Sequence, residues 1–463
     1  MKNAITICLS LVFSLSFSLE INAQKAGEEE EKAPLSLKPG RTIHLQTDEG
    51  TWLSLDVSPN GNSIVFDMLG DIYQIPIEGG KAKRLTKGLA YDTHPKYSPN
   101  GKYIAFTSDR GGSENIWTLQ LETGDTVQVN KDKDENAQSA EWTPDGEYLV
   151  VAKGVRNLKL FLFHKDGGSG VQLIKEPEVL KTIEPAFGKD GRFLWFSQRN
   201  SDWQYNAQLP QYQLAVYDRE NGQVEAMTDR YGSAFAPTLS PDGQWLVYGS
   251  RHNTETGLVK RNLLTGEESW LAYPVQRDDQ ESRARLGVYP AMSFTPDSKH
   301  LVAFYGGKIW KLPIGGGPAQ NIPFEVDTQL ELGPEVFFEF PISDGPQMTV
   351  NQIRDPALSP DGKKLAFTAL NRLYVMDYPG GTPKKLTNAN FTEAQPTWSP
   401  DGNFIAYVSW EEGEQGNIYK VNATGGAAPQ KLTTQGGYYA QPSWDATTGR
   451  IVFMEGPAQA YKN

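Results

Sequence analysis

Apolar residues recur at every second position along this chain in short runs such as "YIAFTS" (103–108), and Gly, Pro, Asn or Asp bounds each run. Period two places alternate side chains on one face of an extended strand. No stretch carries a sustained 3.6-residue apolar period, so the pattern predicts an all-β chain.

The runs also repeat as a set. A Pro-Asp/Asn-Gly type of turn begins at Pro59, Pro99, Pro144, Pro241, Pro296, Pro360 and Pro400, with degenerate copies around Lys189 and Ala446. The fifth residue after each start is a branched aliphatic: Ile64, Ile104, Leu149, Leu194, Leu246, Leu301, Leu365, Ile405 and Ile451. Two residues further on stand Phe66, Phe106, Val151, Phe196, Tyr248, Ala303, Phe367, Tyr407 and Phe453. A third strand follows, as in "DIYQIPIEGG" and "NIYKVNATGG", and then a fourth, clearest as "AKRLT", "PKKLT" and "PQKLT". Pro presets φ at the corner of the turn and Gly takes the positive φ that closes it.

A four-stranded sheet of this kind cannot bury both faces by itself, but copies stacked about an axis cover one another. The repeat therefore predicts a β-propeller of four-stranded blades, with units starting near 52, 92, 138, 182, 234, 289, 353, 393 and 439. Eight units are complete from Trp52 to Thr433 and the ninth is incomplete. A ring of eight is expected, with seven and nine as the neighbouring alternatives. "RTIHLQT" (41–47) alternates and is placed to complete a blade begun at the other end of the ring. A β-sandwich gives no reason for an in-phase four-strand repeat.

The segments "YSPNGKYIAFTSDRGGSENIWTLQLETG" and "PTWSPDGNFIAYVSWEEGEQGNIYKVNATGG" resemble the repeats of TolB-type propellers. That resemblance implies the propeller and leaves function open. TolB itself has an α/β domain ahead of its propeller, and nothing between Gln24 and Trp52 resembles one. "RTIHLQTDEGTWLSLDVSPNG" and "QIRDPALSPDGKKLAFTALNRLYVMD" are similar to the N-terminal propeller of exported amidohydrolase-related proteins. Members of that group follow the propeller with a metal-dependent hydrolase domain. No His-x-His pair occurs here, so no catalytic residue carries over.

The N-terminal stretch adds a destination. Lys2, an apolar run from Ala4 to Leu19 and "INA" at 21–23 have the layout of a secretory signal peptide, with cleavage expected after Ala23. A periplasmic or extracellular protein is expected, with residues 24–40 as an acidic tether and the propeller over 41–463. No later segment approaches the ~20 apolar residues of a membrane helix. The sole cysteine, Cys8, lies inside the apolar run, so an exported chain has no disulfide and no thiol nucleophile. A net charge of −12 without a basic stripe argues against nucleic acid as a partner.

Catalytic signatures are sparse. The five histidines, His44, His94, His164, His252 and His300, fall in different units without ligand spacing, and no Gly-x-Ser-x-Gly elbow occurs. "DKDEN" (132–136) begins like a calcium loop, but Ala137 replaces the required Gly, so it reads as a charged connection. No metal site, cofactor or catalytic residue is assigned.

Binding surfaces are the stronger expectation. The residue entering each inner strand should face the channel mouth: Ser54, His94, Ser139, Glu184, Ala236, Ala291, Asp355, Gln395 and Gln441. His94, Ser139, Glu184, Asp355, Gln395 and Gln441 are its polar candidates. Insertions at 200–213, 273–290 and 325–354 bring Trp203, Tyr205, Tyr212, Phe337, Phe338 and Phe340 as a candidate contact patch, with cover for the ring's edge or burial as the equal alternative. The reading is an exported propeller that binds a protein or peptide, as part of or partner to an amidohydrolase-like hydrolase. The alternative is a self-contained hydrolase acting on a peptide or glycan at the channel mouth.

Overall fold

A computed structural model describes residues 38–200, 210–277, 287–335, 337 and 339–456. Every regular element among them is a strand, and no helix there is long and apolar enough to cross a membrane. The signal-like segment, Trp203, Tyr205 and Phe338 lie outside the described residues.

Local turn chemistry explains why the repeat folds as it does. In unit two the Ser98 hydroxyl donates to Asn100 Oδ1 at 2.8 Å and accepts from Tyr103 N–H at 2.9 Å, while Asn100 Oδ1 also accepts from Lys102 N–H. The same bracket recurs at Ser58/Asn60, Thr143/Asp145, Thr295/Asp297, Ser359/Asp361 and Ser399/Asp401. A side chain that bonds its own backbone fixes the corner before any tertiary contact forms. The Ser or Thr ahead of each Pro is thus a functional part of the turn.

Each turn joins the first two strands of an antiparallel sheet of four. The six sheets from Leu55 to Ile322 each carry their strands in order, innermost to outermost. Ile64, Ile104, Leu149, Leu194, Leu246 and Leu301 have no exposed surface, nor do Phe66, Phe106, Val151, Phe196, Tyr248 and Ala303. Full burial of such a side chain contributes about 1.5–3 kcal/mol, so the faces between sheets carry much of the stability.

The sixth sheet returns to the first. Leu55 N–H donates to Ala291 O at 3.1 Å, and Ala291 N–H reaches Ser54 Oγ at 3.3 Å. One apolar cluster joins Leu55, Ile64 and Phe66 of unit one to Val302, Phe304 and Ile309 of unit six. Gly61 packs under Pro296 as Gly101 packs under Pro59, one step further round. Six units therefore close the ring, and the expectation of eight is corrected. The repeat alone does not fix the wedge angle per blade, which is what sets the number in a turn.

The strand at 41–47 also does something other than complete a blade. Arg41–Thr47 pairs antiparallel with Phe324–Leu332, which in turn runs parallel to Gly80–Lys81 of unit one. The segment leaving unit six is thus held by the segment preceding unit one. Phe324 and Val326 enter the core at the same seam, and Lys81 and His44 both meet Asp327.

Units seven and eight, from Arg354 to Lys431, are again four-stranded sheets, and Tyr438–Trp444 with Ile451–Gly456 forms a two-stranded ninth. They stack on one another: Trp398 Nε1 donates to Ala357 O at 2.9 Å and Trp444 Nε1 to Thr397 O at 3.2 Å. Their outer faces differ from the ring's, with Leu358, Val452 and Met454 more than half exposed. Residues 333–353 between the two sets contain no strand among those described.

Candidate functional site

The inner strands share a feature that places the site. Those of units two to five pair with their neighbour up to one residue, skip, and resume: the register shifts between Thr93 and Lys96, Gln138 and Glu141, Ile183 and Ala186, and Phe235 and Thr238. Units seven, eight and nine do the same. The bulged residues are His94, Ser139, Glu184, Ala236, Asp355, Gln395 and Gln441, all with φ between 50° and 56°. None is glycine, and a left-handed backbone costs such a residue about 1–2 kcal/mol. Strain at the same place in seven strands is held by the surroundings, and such positions favour function.

What holds several bulges is a hydrogen bond donated to the preceding blade. His94 N–H donates to Asp67 Oδ2 at 2.8 Å, while Ser54 N–H donates to Asp67 Oδ1 at 2.8 Å, so one carboxylate brackets units one and two. Ala236 N–H donates to Glu184 Oε2 at 2.7 Å. Gln395 N–H donates to Asp355 Oδ2 at 3.2 Å and Gln441 N–H to Gln395 Oε1 at 2.6 Å. Burial raises Asp67 to about 7, against the lowering by its two backbone donors. Sequence counting found the positions but missed this relay, whose signal was the recurrent polar residue before a Pro at 94, 184, 355, 395 and 441.

The bulges of the ring surround a cavity of about 440 Å³ lined from all six units. His94, Ser139 and Glu184 line it, together with Ala236 and Ala291. Ser54 is fully buried in the seam instead. Asp355, Gln395 and Gln441 occupy equivalent places in units seven to nine and do not join this cavity. The single nine-membered mouth expected from the sequence is thus divided between two sets of strands.

Charge is concentrated on one side. Lys96 Nζ lies 3.0 Å from Glu141 Oε2 and 3.6 Å from Asp56 Oδ1, linking the inner strands of three successive units. Burial holds the Glu141 and Glu184 carboxyls above their ordinary range. Among the described residues no group of His, Cys, Asp and Glu is arranged to hold a metal ion.

The aromatic candidates separate. Tyr212 is not a surface contact: it is only 5% exposed, packed in the core, with Arg199 5.5 Å and Lys181 5.9 Å from its ring. Phe337 and Phe340 are each 73% exposed, on the spacer between the two sets of sheets. In the 132–136 loop, Asp132 and Glu135 both pair with Lys153, at 2.9 and 2.8 Å.

Comparison with known proteins follows the same division. Residues 55–213 match the tricorn protease N-terminal β-propeller domain and residues 348–462 the TolB β-propeller domain. Dipeptidyl-peptidase 5 of Porphyromonas gingivalis is 36% identical over 122 residues, covering 25% of this chain and 16% of that protein. Tricorn protease homolog 1 of Streptomyces coelicolor is 29% identical over 94 residues, covering 20% and 9%. The matched stretches thus span less than a fifth of either relative. A putative TolB from Agrobacterium tumefaciens is a structural neighbour at 17% identity and a TM-score of 0.45, over 59% of this chain and 99% of that one.

Proposed function

We propose that this chain, built of TolB- and tricorn-type β-propeller repeats, is an exported module that takes a protein or peptide segment into its six-unit channel and presents it to a hydrolase. The observation that carries the reading is the cavity of about 440 Å³ lined from all six units, four of which present a strained bulge to it. Its size falls within the ~300–1,000 Å³ of small-ligand sites, which suits a chain terminus or a side-chain pair and excludes a folded partner. The matched relatives named as peptidases support a peptidase context for the hydrolase, while the amidohydrolase resemblance gives the alternative partner. The signal-like segment supports the periplasm or cell exterior, and the net charge of −12 supports a partner other than nucleic acid.

The test is fluorescence anisotropy of a labelled unstructured peptide with the full chain. Binding is expected in the wild type and at least a tenfold loss in Thr238→Trp, which narrows the cavity, with circular dichroism unchanged. Equal affinity in the variant removes the channel from the account. Hydrolysis of the peptide by the purified chain would favour the self-contained enzyme instead.

A further inference from the structure

The cavity wall is lopsided in charge. Two residues past the entry position, units one to three carry Asp56, Lys96 and Glu141, of which Lys96 and Glu141 line the cavity, whereas units four to six carry Ala186, Thr238 and Ser293. The charged side is not an anion site, because Lys96 is already engaged by both of its neighbours. Asp56 Oδ2 is likewise occupied, accepting from Tyr97 N–H at 2.8 Å.

Glu184 is differently placed. Its Oε2 accepts from Ser197 Oγ at 2.6 Å and from Ala236 N–H at 2.7 Å, while its buried Oε1 receives no hydrogen bond. Gly287 lies beside that oxygen, and a Cβ at 287 would stand 2.5 Å from it, so no side chain there competes for Oε1. Glu184 and Glu141 both line the cavity from adjacent inner strands. Lys96 meets Asp56 and Glu141, and it has no ion pair with Glu184. A buried carboxylate oxygen without a donor is costly, and a charge-assisted donor is its strongest remedy.

We infer that the channel takes a cationic group of its polypeptide ligand, an ammonium or guanidinium, against Glu184 and Glu141. This rests on the peptide-binding reading above and names the chemistry that reading requires. The raised carboxyls fit, since a bound cation favours their charged forms. The partial negative charge comes from fixed groups on two rigid strands, so recognition needs no rearrangement of the ring.

The experiment uses the full chain and three short alanine peptides in isothermal titration: one with a free N-terminus, one N-acetylated and amidated, and one N-acetylated with a single arginine. At least one cationic peptide is expected to bind tenfold or more tightly than the neutral one, and which does so separates a terminal amine from a side-chain guanidinium. Glu184→Gln should reduce that preference at least fivefold, and Glu141→Gln, which leaves the Ser197 and Ala236 contacts intact, should reduce it as well. Equal binding of all three peptides overturns the cation inference and leaves the peptide reading standing. Binding of none overturns both, and a preference retained in both variants assigns the cation to another wall.

Discussion

At the residue scale the bulge is the unit of explanation. Ala236 adopts φ +54° with no side-chain hydrogen bond of its own, held by Glu184 and Ser197 from the preceding blade. Ala236→Gly relieves the left-handed backbone and is expected to change stability by less than about 1 kcal/mol. Ala236→Val should lose at least ~1 kcal/mol, because a β-branched residue resists that region. Urea denaturation of the two variants checks both. Asp67 supplies a pH dependence. Its pKa rises from 3.8 to about 7 on folding, so its protonated form favours the folded state; the contribution is present below the lower value and is lost as pH rises through the upper one. The stability of wild type relative to Asp67→Asn should therefore fall between pH 4 and pH 7. An unchanged difference across that range would show that the carboxyl is not perturbed.

At the element scale the sequence was legible in detail. Nine in-phase positions located the second strand of each unit, and the six that lie in the ring are fully buried. Phe106 has no exposed surface and carries the Arg110 guanidinium 5.0 Å from its ring. Phe106→Ala is expected to cost about 3–5 kcal/mol in equilibrium unfolding; a loss below ~1 kcal/mol would mean that the face it occupies is not a core. What periodicity left out was the use of the polar positions. Alternation reports which side of a strand is dry, and it carries no information on whether Glu184 lines a channel, clasps the next blade or does both. Tyr212 shows the same limit: an aromatic in an insertion reads equally as a contact or as a buried residue, and here burial in the core pushes its hydroxyl up to about 12.

At the scale of the whole molecule the repeat identified the architecture but not how the units are shared out. Copies of one pattern look alike whether eight share an axis or six do, since closure depends on small angles summed round the ring. One clue stood in the sequence, the 30-residue insertion at 325–354 ahead of the seventh unit. The start of that insertion belongs to the strand Phe324–Leu332, which clasps the seam with Arg41–Thr47. Closure after the sixth unit also decides which bulges face one cavity, so the proposed site depends on it.

Spin labels placed at Asn62, Lys102 and Lys299, equivalent exposed positions after the turns of units one, two and six, give the most direct measurement by pulsed electron resonance. A closed ring of six makes units one and six neighbours, so the 62–299 distance should match the 62–102 distance. In a ring of eight those units stand three steps apart, and a 62–299 distance clearly longer than 62–102 would contradict the account.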